Sequence, residues 1–433
     1  MSFGKISAFT VLVLLVFMLI YYPPIVNINT IHILAAFSYL YLMFQRGISD
    51  VFKKIIMNYT CSLLGLLLIM FFFSAVIWEK LTVDLGLFVL AIETIPVAYT
   101  IADIKNKYAS SVDFFNIIIC AAIIQSIIAF MTFYIPSFHS LIIGKYISYG
   151  FNDIVSKMSG WRMYGYSYTL AYAMPVTHGC IASIAVYKGM KNSWIYFLAA
   201  IIIFLSGLIN ARVSIMIFVL GSIGAVLFSN RISLFHSIKI IAVALFALLM
   251  INNGLNYLKN SDSATANWIQ SGINDIRNFI SGDSLANDSY ISYATDAEQY
   301  KLPDSIVDII FGTGYITTRG NTTYKSDVGY INDIWYGGLL YFIWILHFYL
   351  YRIRKTFLFF NSKYSVSNKL CYISILILLA ANVKGRCFSW NEITQFLLLC
   401  MVWAEYEQLS IEKCMEDKTN ERKAISNCGY SSI

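Results

Sequence analysis

Charge is what this chain has least of. Only 13% of its residues are Asp, Glu, Lys or Arg, where an ordinary soluble domain carries about a quarter. That shortage excludes a soluble globular enzyme of this length. Histidine and cysteine are also few, 5 and 8 in 433 residues. Cys61, Cys120, Cys180, Cys371 and Cys400 lie inside apolar runs, and Cys414 and Cys428 lie near the C-terminus. Cys387 sits alone, and no pair has metal-ligand spacing or implies a disulfide framework. Neither a metal nor an organic cofactor is expected. No basic run is dense enough for nucleic acid, so the net charge of +7 needs another explanation.

What the chain has in abundance is apolar sequence, 58% of all residues with a mean hydropathy of +0.66. Runs of about 20 apolar residues recur from end to end, each able to cross a hydrocarbon core about 30 Å thick. The expected fold is all-α: a polytopic transmembrane helical bundle of about twelve spans. They fall near 6–22, 31–45, 55–77, 83–101, 114–135, 167–187, 194–210, 213–229, 238–255, 332–350, 370–384 and 388–404. The first resembles a signal peptide in having Lys5 before an apolar stretch. Tyr21-Tyr22-Pro23-Pro24 follows it instead of a small-residue cleavage site, so it reads as an uncleaved span.

Lys and Arg gather in alternate connections. Lys5, the Arg46–Lys54 group, Lys105 and Lys107, Lys188 and Lys191, Arg231 and Lys239, the Arg352–Lys369 group and the tail hold well over half of the 31 basic residues. Short loops rich in Lys and Arg stay in the cytoplasm. Both termini are then cytoplasmic, and the charge of +7 is mostly a topology signal.

This orientation divides the chain into 1–255, nine spans with a smaller external loop at 136–166; a large external loop, 256–331; three more spans, 332–404; and a cytoplasmic tail, 405–433. The tail mixes charges as a solvated end would, and no chemistry is assigned to it. The large loop is polar and carries short helices. Ile269, Ile273, Ile276 and Ile280 make an apolar stripe at helical spacing, suited to a bilayer surface or the bundle. Ser305 and Asp308 have capping-box spacing, with Ile306, Ile309 and Ile310 as the apolar face and Gly312 as the stop. The loop reads as a lid of helices and turns.

Charges near the external membrane face are functional candidates by default. Arg162 lies in SGWRMYGYS, Arg212 in the tight turn INARVS, Arg319 in GTGYITTRG, and Lys384 and Arg386 in VKGR. Together they would form a cationic site, and guanidinium groups bind phosphate through paired hydrogen bonds, so a lipid diphosphate is the natural ligand. Arg162 lies between Trp161 and Tyr164, so interfacial anchoring is an equal reading. Lys384 and Arg386 also fit as solvated loop charges. Gly312 and Gly314 allow sharp turns and close approach of backbone to a ligand, and a plain flexible turn explains them as well. Tyr164 and Tyr315 can stack on sugar rings or anchor at the interface. Asp327, in SDVGYIND, could accept the proton of a sugar hydroxyl; capping is the alternative, for which Asp333 is better placed. His178 reads as a packed, hydrogen-bonded histidine.

Arranged in order, these elements are an R-x-x-G motif (Arg162 to Gly165), an Arg-Val-Ser turn (Arg212 to Ser214), a large external loop ending in FGTGY, then D-x-G-Y and the pair Gly337-Gly338. The succession resembles the O-antigen polymerase (Wzy-type) and O-antigen ligase superfamily. The resemblance implies a membrane-embedded glycosyltransferase of lipopolysaccharide biosynthesis in a bacterial inner membrane, independent of metal. Its substrates would be oligosaccharide repeat units on undecaprenyl diphosphate, and its surroundings bacterial membrane lipids, with a chain-length regulator protein as a further partner. Arg162, Arg212 and Arg319 fall at motif positions for holding the diphosphate. The ligase branch is expected to use a histidine in the long loop, and 256–331 has none, which favours polymerase. A flippase for lipid-linked oligosaccharide remains the alternative from another class. A membrane acyltransferase would want a His/Arg or His/Asp pair near one span, and none is evident.

Overall fold

The computed structural model describes residues 3–25, 28–45, 49–78, 85–148, 165–167, 173–191, 193–211, 213–227, 296–315, 326–364, 379, 381–383 and 385–428. The expected span at 238–255, most of 370–384 and the isoleucine stripe at 269–280 lie outside these residues. The described chain is almost wholly helical. Its helices are α1 (Phe3–Tyr21), α2 (Thr30–Phe44), α3 (Asp50–Val76), α4 (Leu85–Tyr108), α5 (Phe114–Tyr134), α6 (Pro136–Ser148), α7 (Ala173–Lys191), α8 (Ile195–Asn210), α9 (Val213–Leu227), α10 (Ile306–Phe311), α11 (Gly329–Tyr364) and α12 (Glu392–Cys428). Four of them have the length and apolar content to cross a membrane: α3, α4, α5 and, within α11, Gly329–Thr356. The apolar stretches Ile6–Tyr21, Thr30–Phe44, Ile195–Leu208 and Val213–Gly224 are shorter.

Helix starts follow their capping residues. Asn29, Ser49 and Asp113 each accept a backbone N–H from the first turn of α2, α3 and α5, satisfying donors that the helix itself leaves unpaired. Between α1 and α2 the chain makes a minimal antiparallel ladder, Pro24–Ile25 against Ile28–Asn29. Tyr22, just before it, has a positive φ of 30° and is fully buried, its ring stacked on Trp390 at 5.1 Å.

Helix α12 is the axis of the packing and touches α1, α3, α4, α7 and α11. Its residues 396, 398, 399 and 401–404 are all buried, so it is apolar around its whole circumference, as a helix enclosed by others must be. Trp403 stacks on Phe114 with ring centroids 3.9 Å apart.

Two turns are wound as π-helix, Ile56–Thr60 in α3 and Leu90–Thr94 in α4. Widened turns leave carbonyls open to outside donors, and here those donors are other helices. Thr60 Oγ1 donates to Ala91 O (3.0 Å), Tyr39 OH to Ile92 O (2.6 Å) and Arg352 Nη2 to Asn58 O (2.6 Å).

Several boundaries differ from expectation. Helix α4 runs to Tyr108, well past 101, because Asp103 and Lys105 are buried in polar contacts. The same cause moves the end of the last span: Glu405 and Glu407, expected in a solvated tail, are buried within α12. Glu405 pairs with Arg352 (3.4 Å) and Lys355 (2.9 Å) and accepts from Asn58 (2.6 Å), while Glu407 pairs with Lys105 (3.2 Å). Asp103 accepts from Tyr41, Gln45, Lys107 and Tyr406. Lys188 meets Asp113 and Asn116 at the same level. These groups define a charged end of the bundle. The opposite end carries the β-hairpin, residues 165–167, α10 and the start of α12.

Candidate functional site

Depth along the bundle follows from helical rise. Ten residues separate His178 from Lys188 on α7, about 15 Å at 1.5 Å per residue. His178 is fully buried, with Nδ1 2.7 Å from Ser206 Oγ and Nε2 3.0 Å from Tyr21 OH, and Ser126 Oγ lies 2.9 Å from Ser206 Oγ. This packed histidine therefore lies about 15 Å along the bundle from the charged end. The hairpin and residues 165–167 lie just beyond it, away from the charged end.

Residues 165–167 are tied down from three sides. Gly165 has φ +63°, and a Cβ there would lie 2.7 Å from Gln125 Nε2. Tyr166 N–H donates to Gln125 Oε1 (3.3 Å) and its hydroxyl donates to the carbonyl of Pro24. Ser167 accepts from and donates through its backbone to Tyr146 OH, and its own hydroxyl donates to Glu392, a carboxylate with no exposed surface. Gln395, one turn along α12, is buried and neither amide atom has a partner among the described residues. A buried amide left so costs about 1–3 kcal/mol.

Glycines weld α10 to α11. Ser305 Oγ accepts from Val307 N–H to start α10, and Gly312 (φ +79°) ends it, at the positions the spacing predicts, although the cap bond goes to Val307 and not to the Asp308 N–H of a capping box. The expected apolar face is different, however: Ile306 is exposed, and Phe311 is the residue that packs, edge-on to Phe73. Thr313 and Gly314 donate backbone N–H groups to Trp335 O (2.8 Å) and Tyr336 O (3.0 Å). Trp78 Nε1 donates to Gly312 O (2.7 Å). These carbonyls are open because α11 is broken at Gly338, which has φ 70° and ψ −174°. A Cβ on Gly312 would lie 2.6 Å from Gly337 Cα. The close approach that Gly312 and Gly314 allow is thus to the broken helix of the same chain. Tyr315 follows this weld, partly buried.

Asp327 comes next. Its N–H donates to Gln299 Oε1 (3.0 Å), and Ser326 Oγ donates to Gln299 O (2.7 Å), so the turn Ala297–Tyr300 sits against the start of α11. Asp333 is not a cap. It lies inside α11 with no exposed surface, its Oδ1 2.7 Å from Arg386 Nε. Arg386 also donates to Tyr341 OH (3.3 Å), and its guanidinium lies 5.1 Å from the Tyr336 ring centre. Arg386 is therefore a largely buried ion-pair partner and not a solvated loop charge. A Cβ on Gly329 would meet Asn382 and the Gly385 carbonyl, which puts the Asp327–Gly329 segment beside the Gly385–Arg386 turn.

Of the candidates, Asp327, Arg386, Gly312, Gly314 and Tyr315 are brought to this one end of the bundle. Arg162, Tyr164, Arg212, Arg319 and Lys384 lie outside the described residues, although Gly165, Ala211, Val213 and Gly385, their near neighbours in sequence, do not.

Three acids escaped the reading of the sequence: Asp333, taken for a cap, Glu392 and Glu93. Each is a carboxylate in or beside an apolar span, where isolated charge costs several kcal/mol, and that rule alone would have singled them out. Glu93, in the π-turn of α4, has its Oε2 2.7 Å from His32 Nδ1 of α2. This His–acid pair joins two helices through residues 61 apart in sequence, which no local motif could reveal.

No model of a known protein family matches the chain, and no curated protein matches it by sequence.

Proposed function

We propose that this chain is a surface-polysaccharide polymerase of the O-antigen polymerase type, a polytopic protein of about twelve spans in a bacterial inner membrane with both termini cytoplasmic. In this reading the charged end faces the cytoplasm, as clustered Lys and Arg do, and the hairpin end faces the periplasm. The observation that carries it is convergence. Three motifs far apart in sequence lie at one end: Ser167 on Glu392, Gly312–Gly314 on Trp335–Gly338, and Gly329 beside Gly385.

The reaction joins two repeat units carried on undecaprenyl diphosphate. The hydroxyl oxygen of the acceptor sugar forms a bond to the anomeric carbon of the donor glycan. The bond from that carbon to the donor's diphosphate breaks, and undecaprenyl diphosphate leaves with the electron pair. The hydroxyl proton passes to a carboxylate, for which Asp327 at the mouth of α11 is the candidate. Arg162, Arg212 and Arg319 hold the diphosphate as its charge develops, and Lys384 adds to that field. Arg386, neutralised by Asp333, keeps the Gly385 turn against α11 instead of binding phosphate. Tyr164 and Tyr315 supply ring surfaces for sugars. Most of the rate comes from alignment, since the diphosphate is already a good leaving group.

Electrophoresis of the surface glycan tests this. Deleting the chain is expected to leave a single repeat unit on its lipid anchor, and Arg212→Ala at normal protein level is expected to do the same. Loss of even the first unit on deletion points to the flippase, and full-length glycan from Arg212→Ala removes Arg212 from the site.

A further inference from the structure

The segment that clasps the start of α11 carries apolar surface that it leaves uncovered. Tyr300 is 43% exposed, Leu302 42%, Ile306 74% and Val307 53%. At about 100° per residue, Ile306, Val307 and Ile310 share one face of α10, and Asp308 lies on the other side. An apolar face left open marks a surface that meets a membrane or another chain.

The surroundings decide between the two. Helix α10 is set against α3 and α11, both long and apolar enough to cross a membrane. Phe311 packs edge-on to Phe73 with ring centroids 5.2 Å apart. The Ile310 carbonyl comes so close to Gly338 that no Cβ fits there. Beside these contacts both helices keep large apolar side chains exposed: Phe71, Phe72 and Val76 on α3, and Leu339, Leu340 and Ile343 on α11. On helices that cross a membrane, such side chains meet the hydrocarbon. Phe72 precedes Phe73 and Leu339 follows Gly338, so the open face of α10 continues a surface that is already apolar.

Two indoles stand at the same junction. Trp78 Nε1 donates to Gly312 O (2.7 Å) and Trp335 Nε1 to Lys301 O (2.8 Å), so each bridges the bundle and this segment. Tryptophan, with an apolar body and one polar N–H, gathers at the boundary between membrane and water.

We propose that the stretch Leu302–Ile310 is seated in the lipid bilayer, its Ile306 and Val307 face dipping into the acyl-chain boundary of the leaflet at the hairpin end. The partner is the lipid surface. Lys301 is the one cation among the described residues 296–315, against Asp296, Glu298, Asp304 and Asp308. Attraction therefore comes from the apolar face and not from anionic headgroups. The segment is held from two sides, by its bonds to α11 and by lipid. This goes beyond the glycan chemistry and needs only that α3 and α11 cross a membrane.

The test uses the full chain in vesicles of phosphatidylethanolamine and phosphatidylglycerol with tritiated acyl chains. A photo-crosslinking phenylalanine analogue is placed singly at Ile306, Val307, Phe72 and Glu298, the last an exposed residue of the turn Ala297–Tyr300. Illumination is expected to attach lipid at 306 and 307 about as strongly as at Phe72, and several-fold more than at Glu298. Two adjacent positions are used so that one misfolded variant leaves the other to decide. Capture at both no greater than at Glu298 overturns the proposal. So does a cross-linked dimer, which makes the face an interface between copies. A cross-link to a peptide from 256–295 overturns it as well, by making the face a seat for the rest of the loop.

Discussion

The two ends of this bundle are built from different chemistry. The charged end is closed by ion pairs that cross between helices: Glu405 with Arg352 and Lys355, Glu407 with Lys105, Asp103 with Lys107, and Lys188 with Asp113. Among the described residues, the hairpin end has one such pair, the largely buried Arg386–Asp333, and is otherwise joined by backbone bonds, single side-chain hydrogen bonds and close glycine contacts. Ion pairs fix helices rigidly where nothing needs to pass. Backbone welds on glycine let short, non-helical segments lie against broken helix and leave side chains such as Asp327 at the rim. The difference suits a protein whose chemistry happens at one end only.

The largest expected effect is at the charged end. Glu405→Ala leaves Arg352 buried without its acid and is expected to cost about 3–5 kcal/mol, read as a drop in thermal midpoint in detergent. A change under 1 kcal/mol would mean that the inner network is decoration. At the hairpin end, Arg386→Met takes the cation from buried Asp333, to which Asn382 Nδ2 still donates at 3.5 Å, and is expected to cost about 3 kcal/mol, most of it regained in the double variant Arg386→Met/Asp333→Leu. Failure of the double variant to recover would show that Arg386 serves more than its partner.

Gly312→Val is expected to lose about 2–3 kcal/mol of docking between α10 and α11, from a strained positive φ and a collision with the backbone of Tyr336–Gly338. Limited proteolysis should then cut near residues 296–315 while the spans keep their midpoint. A uniform fall in stability would join the lid to the core and blunt the contrast between ends. The smallest effect is expected from Trp78→Phe, which removes one hydrogen bond to Gly312 O at about 1 kcal/mol.

How much of this was legible in the sequence follows from range. Apolar runs set the helices because hydropathy is a local property, and Ser305 and Gly312 set the ends of α10 because capping is local too. Gly337-Gly338 was visible as a pair, but not as the break that exposes Trp335 and Tyr336 carbonyls to Thr313 and Gly314, a contact across 22 residues. Glu405 and Glu407 were assigned to a solvated tail because charge usually marks the end of a span. Their partners Asn58 and Lys105 lie 347 and 302 residues away. The π-turns left no mark in the sequence, and with them His32–Glu93 stayed hidden.

The claim that chain growth occurs at the hairpin end is tested most directly by reconstitution. The purified chain, in vesicles loaded with lipid-linked repeat units, is expected to produce a ladder of lengthening glycans, and Asp327→Asn is expected to abolish the ladder while thermal stability is kept. A ladder made equally well by Asp327→Asn and Arg212→Ala, or movement of lipid-linked units across the vesicle membrane with no new glycosidic bond, would contradict it.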